Sequence, residues 1–106
     1  MIKYYVNEDK RQVIGVLDNT RYDAVNKMGK MLRDTNFAFC PREKYMMPSC
    51  FKAVVTCDPA DEFNIQAGKD KAKERIMTRY YNSFDKRMDY FLADLNDLCG
   101  KFFENP

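Results

Sequence analysis

The sequence predicts an α+β fold, and three patterns carry the prediction. Near the start, Ile2, Tyr4 and Val6 alternate with Lys3 and Tyr5, turn residues follow from Asn7 to Arg11, and Gln12 to Leu17 is a β-branched apolar run, which together spell a β-hairpin. Phe51 to Cys57 is a further strand pattern, ended by Asp58-Pro59. Towards the end, apolar side chains fall at Met77, Tyr81, Phe84, Met88, Phe91, Leu95, Leu98 and Phe102, spaced alternately by four and three, a heptad pattern that only a helix satisfies. The expected order is an N-terminal β-hairpin, a helix, further strand(s) in a small antiparallel sheet, and a long C-terminal helical part over 64–103. At 106 residues this is expected to be one domain, 1–106, with a core large enough to fold without staples.

Between these patterns the local signals are as follows. Gly15 inside the second strand marks a bulge or a close approach by another segment. Thr20 with Asp23 reads as a helix start, the hydroxyl capping a free amide and the carboxylate facing the helix dipole. The helix that follows places Tyr22, Val25, Met28, Gly29 and Leu32 on one face and gives way to loop near Asp34. Phe37 to Cys40 is a short apolar run suited to a strand. Pro41 and Pro48 bracket a loop that carries Arg42, Lys44, Tyr45, Met46 and Met47; it reads either as a protruding binding surface or as a segment whose apolar side chains fold back onto the core. Pro59 fits the first position of a turn capped by Asp58, and Asn64 fits a second start. Gly68 lies inside the helix that begins there, at a cost of about 1 kcal/mol against Ala, which close packing of helix on strand would justify. A single helix from Ile65 to Phe103 would be about 60 Å long at about 1.5 Å per residue. A break at Asn82 or Ser83 is therefore expected, with an unbroken helix as the alternative.

The heptad stripe needs a partner. It is half aromatic with Met as filler, whereas two-stranded zippers favour Ile or Val with Leu, so packing inside the domain is favoured over a homodimer through the stripe.

Composition excludes several classes. The hydrophobic fraction of 45% rules against a disordered chain, and no apolar run is long enough for a membrane span. Histidine is absent, no carboxylate pair sits in a catalytic setting, and there is no nucleophile elbow, phosphate loop or dinucleotide fingerprint, so no enzyme activity is expected. Cys40, Cys50, Cys57 and Cys99 contain no close pair, and Asp58, Asp61 and Glu62 lack the glycine and spacing of a calcium loop, so neither metal nor cofactor is expected. A strand from Ile2 leaves no leader pattern, and the thiols read as reduced, which points to a cytoplasmic protein.

Charge is distributed unevenly although the net value is only +2. From Lys69 to Arg87, seven cations stand against three anions, and from Met88 onward Lys101 stands against Asp89, Asp94, Asp97 and Glu104. Lys71, Arg75, Arg79 and Lys86 recur on one helical stripe, suited to a partner of opposite charge. That stripe, with Arg42, Lys44 and Tyr45 of the bracketed loop, forms the candidate partner-binding set. A pI of about 8.3 is low for a dedicated nucleic-acid binder, and no aromatic-basic RNA motif is present, so a protein partner ranks above nucleic acid.

The pattern Cys57-x-Pro59-x-Asp61-x-Phe63, followed by Gly68, Ala72 and Arg75, resembles a segment of small phage and prophage proteins of Gram-positive bacteria, with Asn64 standing where Asp is expected. Some proteins of this kind are stoichiometric inhibitors of host defence, including anti-CRISPR proteins. The resemblance implies a non-catalytic inhibitor of a bacterial CRISPR nuclease effector, acting in the host cytoplasm. The alternatives are a phage nucleic-acid-binding accessory protein and a dimerisation module that uses the heptad helix.

Overall fold

A computed structural model describes residues 1–35 and 37–104, the last four of these by backbone alone. Strands β1 (Ile2–Asn7) and β2 (Gln12–Asp18) pair antiparallel with Tyr4 opposite Gly15, and the turn between them closes with Arg11 in the left-handed region (φ 53°) and its N–H on the Glu8 carbonyl at 3.1 Å. Strand β3 (Cys50–Thr56) pairs antiparallel with β2, placing Ala53 opposite Gly15, so β2 is central in a three-stranded sheet of order β1-β2-β3. Helices α1 (Asp23–Leu32) and α2 (Ile65–Glu104) complete an α+β fold, with one 3-10 turn at Glu43–Tyr45. The chain divides into two compact units, Met1–Thr20 with Pro48–Tyr81 and Arg21–Met47 with Asn82–Pro106. No helix among the described residues is long and apolar enough to cross a membrane.

The sheet unit shows why the glycines are where they are. Side chains alternate between faces along a strand, so the rows Ile2–Leu17–Phe51, Tyr4–Gly15–Ala53 and Val6–Val13–Val55 share one face of the sheet. Helix α2 packs on that face along Gly68, Ala72, Ile76 and Tyr80. A Cβ at Gly68 would stand 2.6 Å from Val13 Cγ2, and one at Gly15 would stand 2.8 Å from Ile76 Cδ1 and 3.3 Å from Ala72 Cβ. Both glycines therefore allow the close approach of helix to strand that the sequence required of Gly68. Val13, Phe51, Ala53, Ala72 and Ile76 are buried, and the Phe51 and Tyr80 rings meet edge to face with centroids 5.8 Å apart.

In the second unit the buried side chains are Ala24, Val25, Met28, Tyr45, Met47 and Phe91. Phe39 stacks on both Tyr45 (6.5 Å) and Phe91 (6.0 Å), and Tyr45 and Phe91 are themselves 6.0 Å apart, so three rings from distant parts of the chain form one cluster. The loop backbone is tied down by Met47 N–H on the Arg21 carbonyl (3.0 Å) and by Arg87 Nε donating to the Met46 carbonyl (3.1 Å).

Four expectations are corrected. Thr20 does not cap α1, which begins at Asp23 with Tyr22 at the N-cap and no side-chain cap bond; Thr20 is buried and its hydroxyl donates to the Pro48 carbonyl at 2.6 Å, so a long-range partner outcompetes the local one. Tyr22, expected on the buried face, is 54% exposed because the helix starts one residue after it. Phe37 to Cys40 forms no strand, and Phe39 joins the aromatic cluster instead. Finally, α2 is one helix of 40 residues with no break at Asn82 or Ser83. Neither Gly nor Pro falls between Gly68 and Gly100, and the propensity loss at Asn82 and Ser83 is only about 0.5 kcal/mol each.

The heptad stripe is not uniformly buried. Phe91 is core, Met77, Phe84, Met88 and Leu95 are half-buried, and Tyr81 and Leu98 are exposed, while the side chain of Phe102 lies outside the described residues. Against the sheet, the packed line follows the 3.6-residue period through Ala72 and Ile76, from which a strict 3.5-residue seam drifts.

Candidate macromolecule-binding surface

Strand β3 is an edge strand, and an edge presents unpaired carbonyls that need partners. Helix α2 supplies them: Arg75 Nη1 donates to the Val54 carbonyl at 3.2 Å and Arg79 Nη1 to the Lys52 carbonyl at 2.7 Å. The match is one of step length, since four helical residues rise about 6 Å and two strand residues about 6.8 Å. A guanidinium has five N–H donors, so each arginine fixes its fork on the strand and keeps donors for an external anion. Both are exposed, as is Lys71, and with Glu74 and Thr78 these three cations line one shallow depression on α2. Three of the four stripe cations are thus brought together on the sheet unit.

The others sit in the second unit. Lys86 is exposed, its ammonium 6.0 Å from the centre of the Tyr90 ring. Arg42 is exposed too. Tyr45 is only 6% exposed, and its hydroxyl donates to Asp94 Oδ2. Lys44 Nζ pairs with the same oxygen at 2.6 Å and lies 5.4 Å from the Tyr45 ring centre. The loop's apolar side chains therefore turn inward, while Arg42 and Lys44 remain at the rim. Burial, reinforced by the hydrogen bond to a carboxylate, pushes the Tyr45 phenol up to about 12. The hydrogen bonds from Lys44 and Tyr45 hold the Asp94 carboxyl below its usual range. At neutral pH this is a neutral phenol on an ionised acid, a structural clasp. Beside it, Leu32, Phe39, Arg42, Phe91, Asp97 and Leu98 line an open cleft of about 300 Å³.

Sequence reasoning missed Arg11. Its Nη2 donates to the Asp61 carbonyl and, at 3.5 Å, to the Asp58 carbonyl, its guanidinium lies 5.8 Å from the Phe63 ring centre, and its own carbonyl accepts the Cys57 N–H at 2.9 Å. The hairpin turn thereby holds the 57–63 segment and delivers Asn64 to α2, where Asn64 Oδ1 caps the Ala67 N–H at 3.1 Å; Asp58 Oδ1 caps its own turn on the Ala60 N–H at 2.9 Å. Both caps are where the sequence placed them. In the sequence Arg11 is only the last residue of a charged turn; its left-handed φ, shared with Asn19 (φ 61°), is visible in the structure alone. Among the described residues no group of three His, Cys, Asp or Glu side chains is close enough to hold a metal ion.

Comparison of the chain with protein-family models, with curated proteins and with solved structures finds no match.

Proposed function

We propose that this protein is a non-catalytic binding protein that docks on an acidic protein surface through Lys71, Arg75 and Arg79, and that its partner is a bacterial CRISPR nuclease effector, which it inhibits stoichiometrically as a phage-type anti-CRISPR protein. The observation that carries the docking is the arginine pair braced on the β3 carbonyls. Cations held in place before binding lose less side-chain freedom on forming an interface than free ones do. The partner class comes from the resemblance of the 57–75 segment to small phage proteins. With charges opposed across the interface, electrostatics speeds association and burial of neighbouring side chains sets release.

The test is DNA cleavage by purified CRISPR nuclease effectors titrated with this protein. The expected result is loss of cleavage that saturates near one copy per effector, and recovery of cleavage with a Lys71→Glu, Arg75→Glu variant. Undiminished cleavage at large excess for every effector tested, with the wild-type chain folded, would refute the reading.

A further inference from the structure

The proposed docking uses α2 and leaves the outer face of the sheet without a role. We infer that this face is a platform for single-stranded nucleic acid. The register stacks its side chains in three rows: Lys3–Val16–Lys52, then Tyr5–Ile14–Val54, then Asn7–Gln12–Thr56. The exposed face of an antiparallel sheet is ordinarily polar. Here its middle row is aromatic and aliphatic, with Tyr5 56% and Val54 41% exposed.

The order of the rows follows the parts of a nucleotide. Lys3 and Lys52 are exposed at the two outer strands, about 9.6 Å apart at two spacings of about 4.8 Å, and offer two positions for phosphates. Tyr5, two residues or about 6.8 Å further along β1, presents a planar ring beside flat aliphatic side chains, a surface on which any base can stack. The third row is amide and hydroxyl; Gln12 Nε2 donates to Thr56 Oγ1 at 3.2 Å, which orients the Gln12 amide and leaves its carbonyl oxygen for a base edge. Of the acids of this unit, Asp18 shares the face, opposite Cys50 and one row beyond Val16, while Glu8 and Asp9 stand in the hairpin turn, Asp58, Asp61 and Glu62 in the loop after β3, and Asp70 and Glu74 on α2, so the face sets two lysines against one carboxylate.

Size and shape select the ligand. Four apolar side chains, Tyr5, Ile14, Val16 and Val54, cover one or two bases, whereas a protein interface engages about 20–30 residues on each side. A flat sheet face enters neither groove of a duplex, and duplex bases are already stacked on one another, so the single strand is favoured. Stacking and phosphate contacts carry no sequence preference beyond base stacking strength.

The experiment is fluorescence anisotropy of the full-length chain with fluorescein-labelled oligothymidylate at physiological ionic strength. Binding is expected, with Tyr5→Ala weakening it about tenfold and Tyr5→Phe restoring it. Lys3→Ala with Lys52→Ala should lower the slope of log affinity against log salt by about 1.4, at about 0.7 per phosphate contact. Tyr5 and both lysines are exposed, so circular dichroism of these variants should match the parent. Absence of binding, an affinity indifferent to Tyr5→Ala, or equal affinity for the same sequence as a duplex would each overturn the inference. So would loss of effector inhibition on Tyr5→Ala in a chain that does not bind oligothymidylate, which would make the face a protein-docking surface. Oligothymidylate bound through Tyr5 without inhibition of any effector would support this site and refute the α2 reading alone.

Discussion

Replacing Gly68 with Ala sets two known effects against each other, and the structure decides between them. An exposed mid-helix glycine gains about 1 kcal/mol on becoming Ala. At Gly68 the new Cβ would stand 2.6 Å from Val13 Cγ2 and 3.1 Å from Val13 Cβ, well inside the optimum of about 3.5–4.0 Å between carbons. Rotation about χ1 can move Cγ2 but not Cβ, and Val13 is 1% exposed on the central strand between Val6 and Val55. Helix and sheet must separate, and overpacking of this kind costs about 1–3 kcal/mol. The net expectation is a loss of about 1 kcal/mol, or roughly 4 °C in melting temperature. Gly100→Ala is the internal control: among the described residues, its chain neighbours and the helix's own backbone apart, nothing lies within 4 Å of its Cβ position, so it should gain up to about 1 kcal/mol. Val13→Ala opens the space, and the Gly68→Ala, Val13→Ala double variant should be more stable than the sum of the singles by at least about 0.5 kcal/mol. Urea denaturation followed by circular dichroism reads all four proteins. If Gly68→Ala stabilises as Gly100→Ala does, the close approach of α2 to β2 is refuted.

Further expectations concern the clasp, the edge and the aromatic cluster. The folded Asp94 carboxyl titrates below its unfolded value, so its contribution is present above the usual carboxylate range and is lost as pH falls through the folded value; Asp94→Asn should flatten the acid limb of a stability profile. The Tyr45 phenol titrates at about 12 against 10.0 unfolded, so its contribution is full below pH 10 and lost between these values; in an ultraviolet titration Asp94→Asn should bring the late-ionising tyrosine down. Arg75→Ala with Arg79→Ala uncovers the Lys52 and Val54 carbonyls, and faster amide exchange in β3 or concentration-dependent association should follow, whereas unchanged exchange and a monomeric chain would show that water serves these carbonyls equally well. Phe91→Ala removes a ring in contact with Phe39 and Tyr45 and should cost about 3–5 kcal/mol; an unchanged melting temperature with a lower apparent mass would instead make the stripe an oligomer interface.

What the sequence determined by itself was whatever acts over a few residues. Alternation in Ile2 to Val6 and the run from Gln12 to Leu17 specified the hairpin, because a one-residue slip would reverse every side chain. Asn64 and Asp58 were legible as caps, since a cap bonds amides two or three positions away. The cost of Gly68 in a helix made close packing readable before any partner was known. The same local rules misjudged Thr20, whose hydroxyl found a carbonyl 28 residues distant, and the length rule inserted a break into α2 that no residue there enforces. The candidate residues were visible as types at helical spacing, but their partners were not. Arg75 and Arg79 reach carbonyls 21 and 27 residues away, Tyr45 reaches an acid 49 residues away, and Arg11 reaches carbonyls 47 and 50 residues away. Tertiary structure alone joined Lys3 to Lys52 and Tyr5 to Val54, because a row across a sheet exists only once three strands from distant parts of the chain have paired in one register.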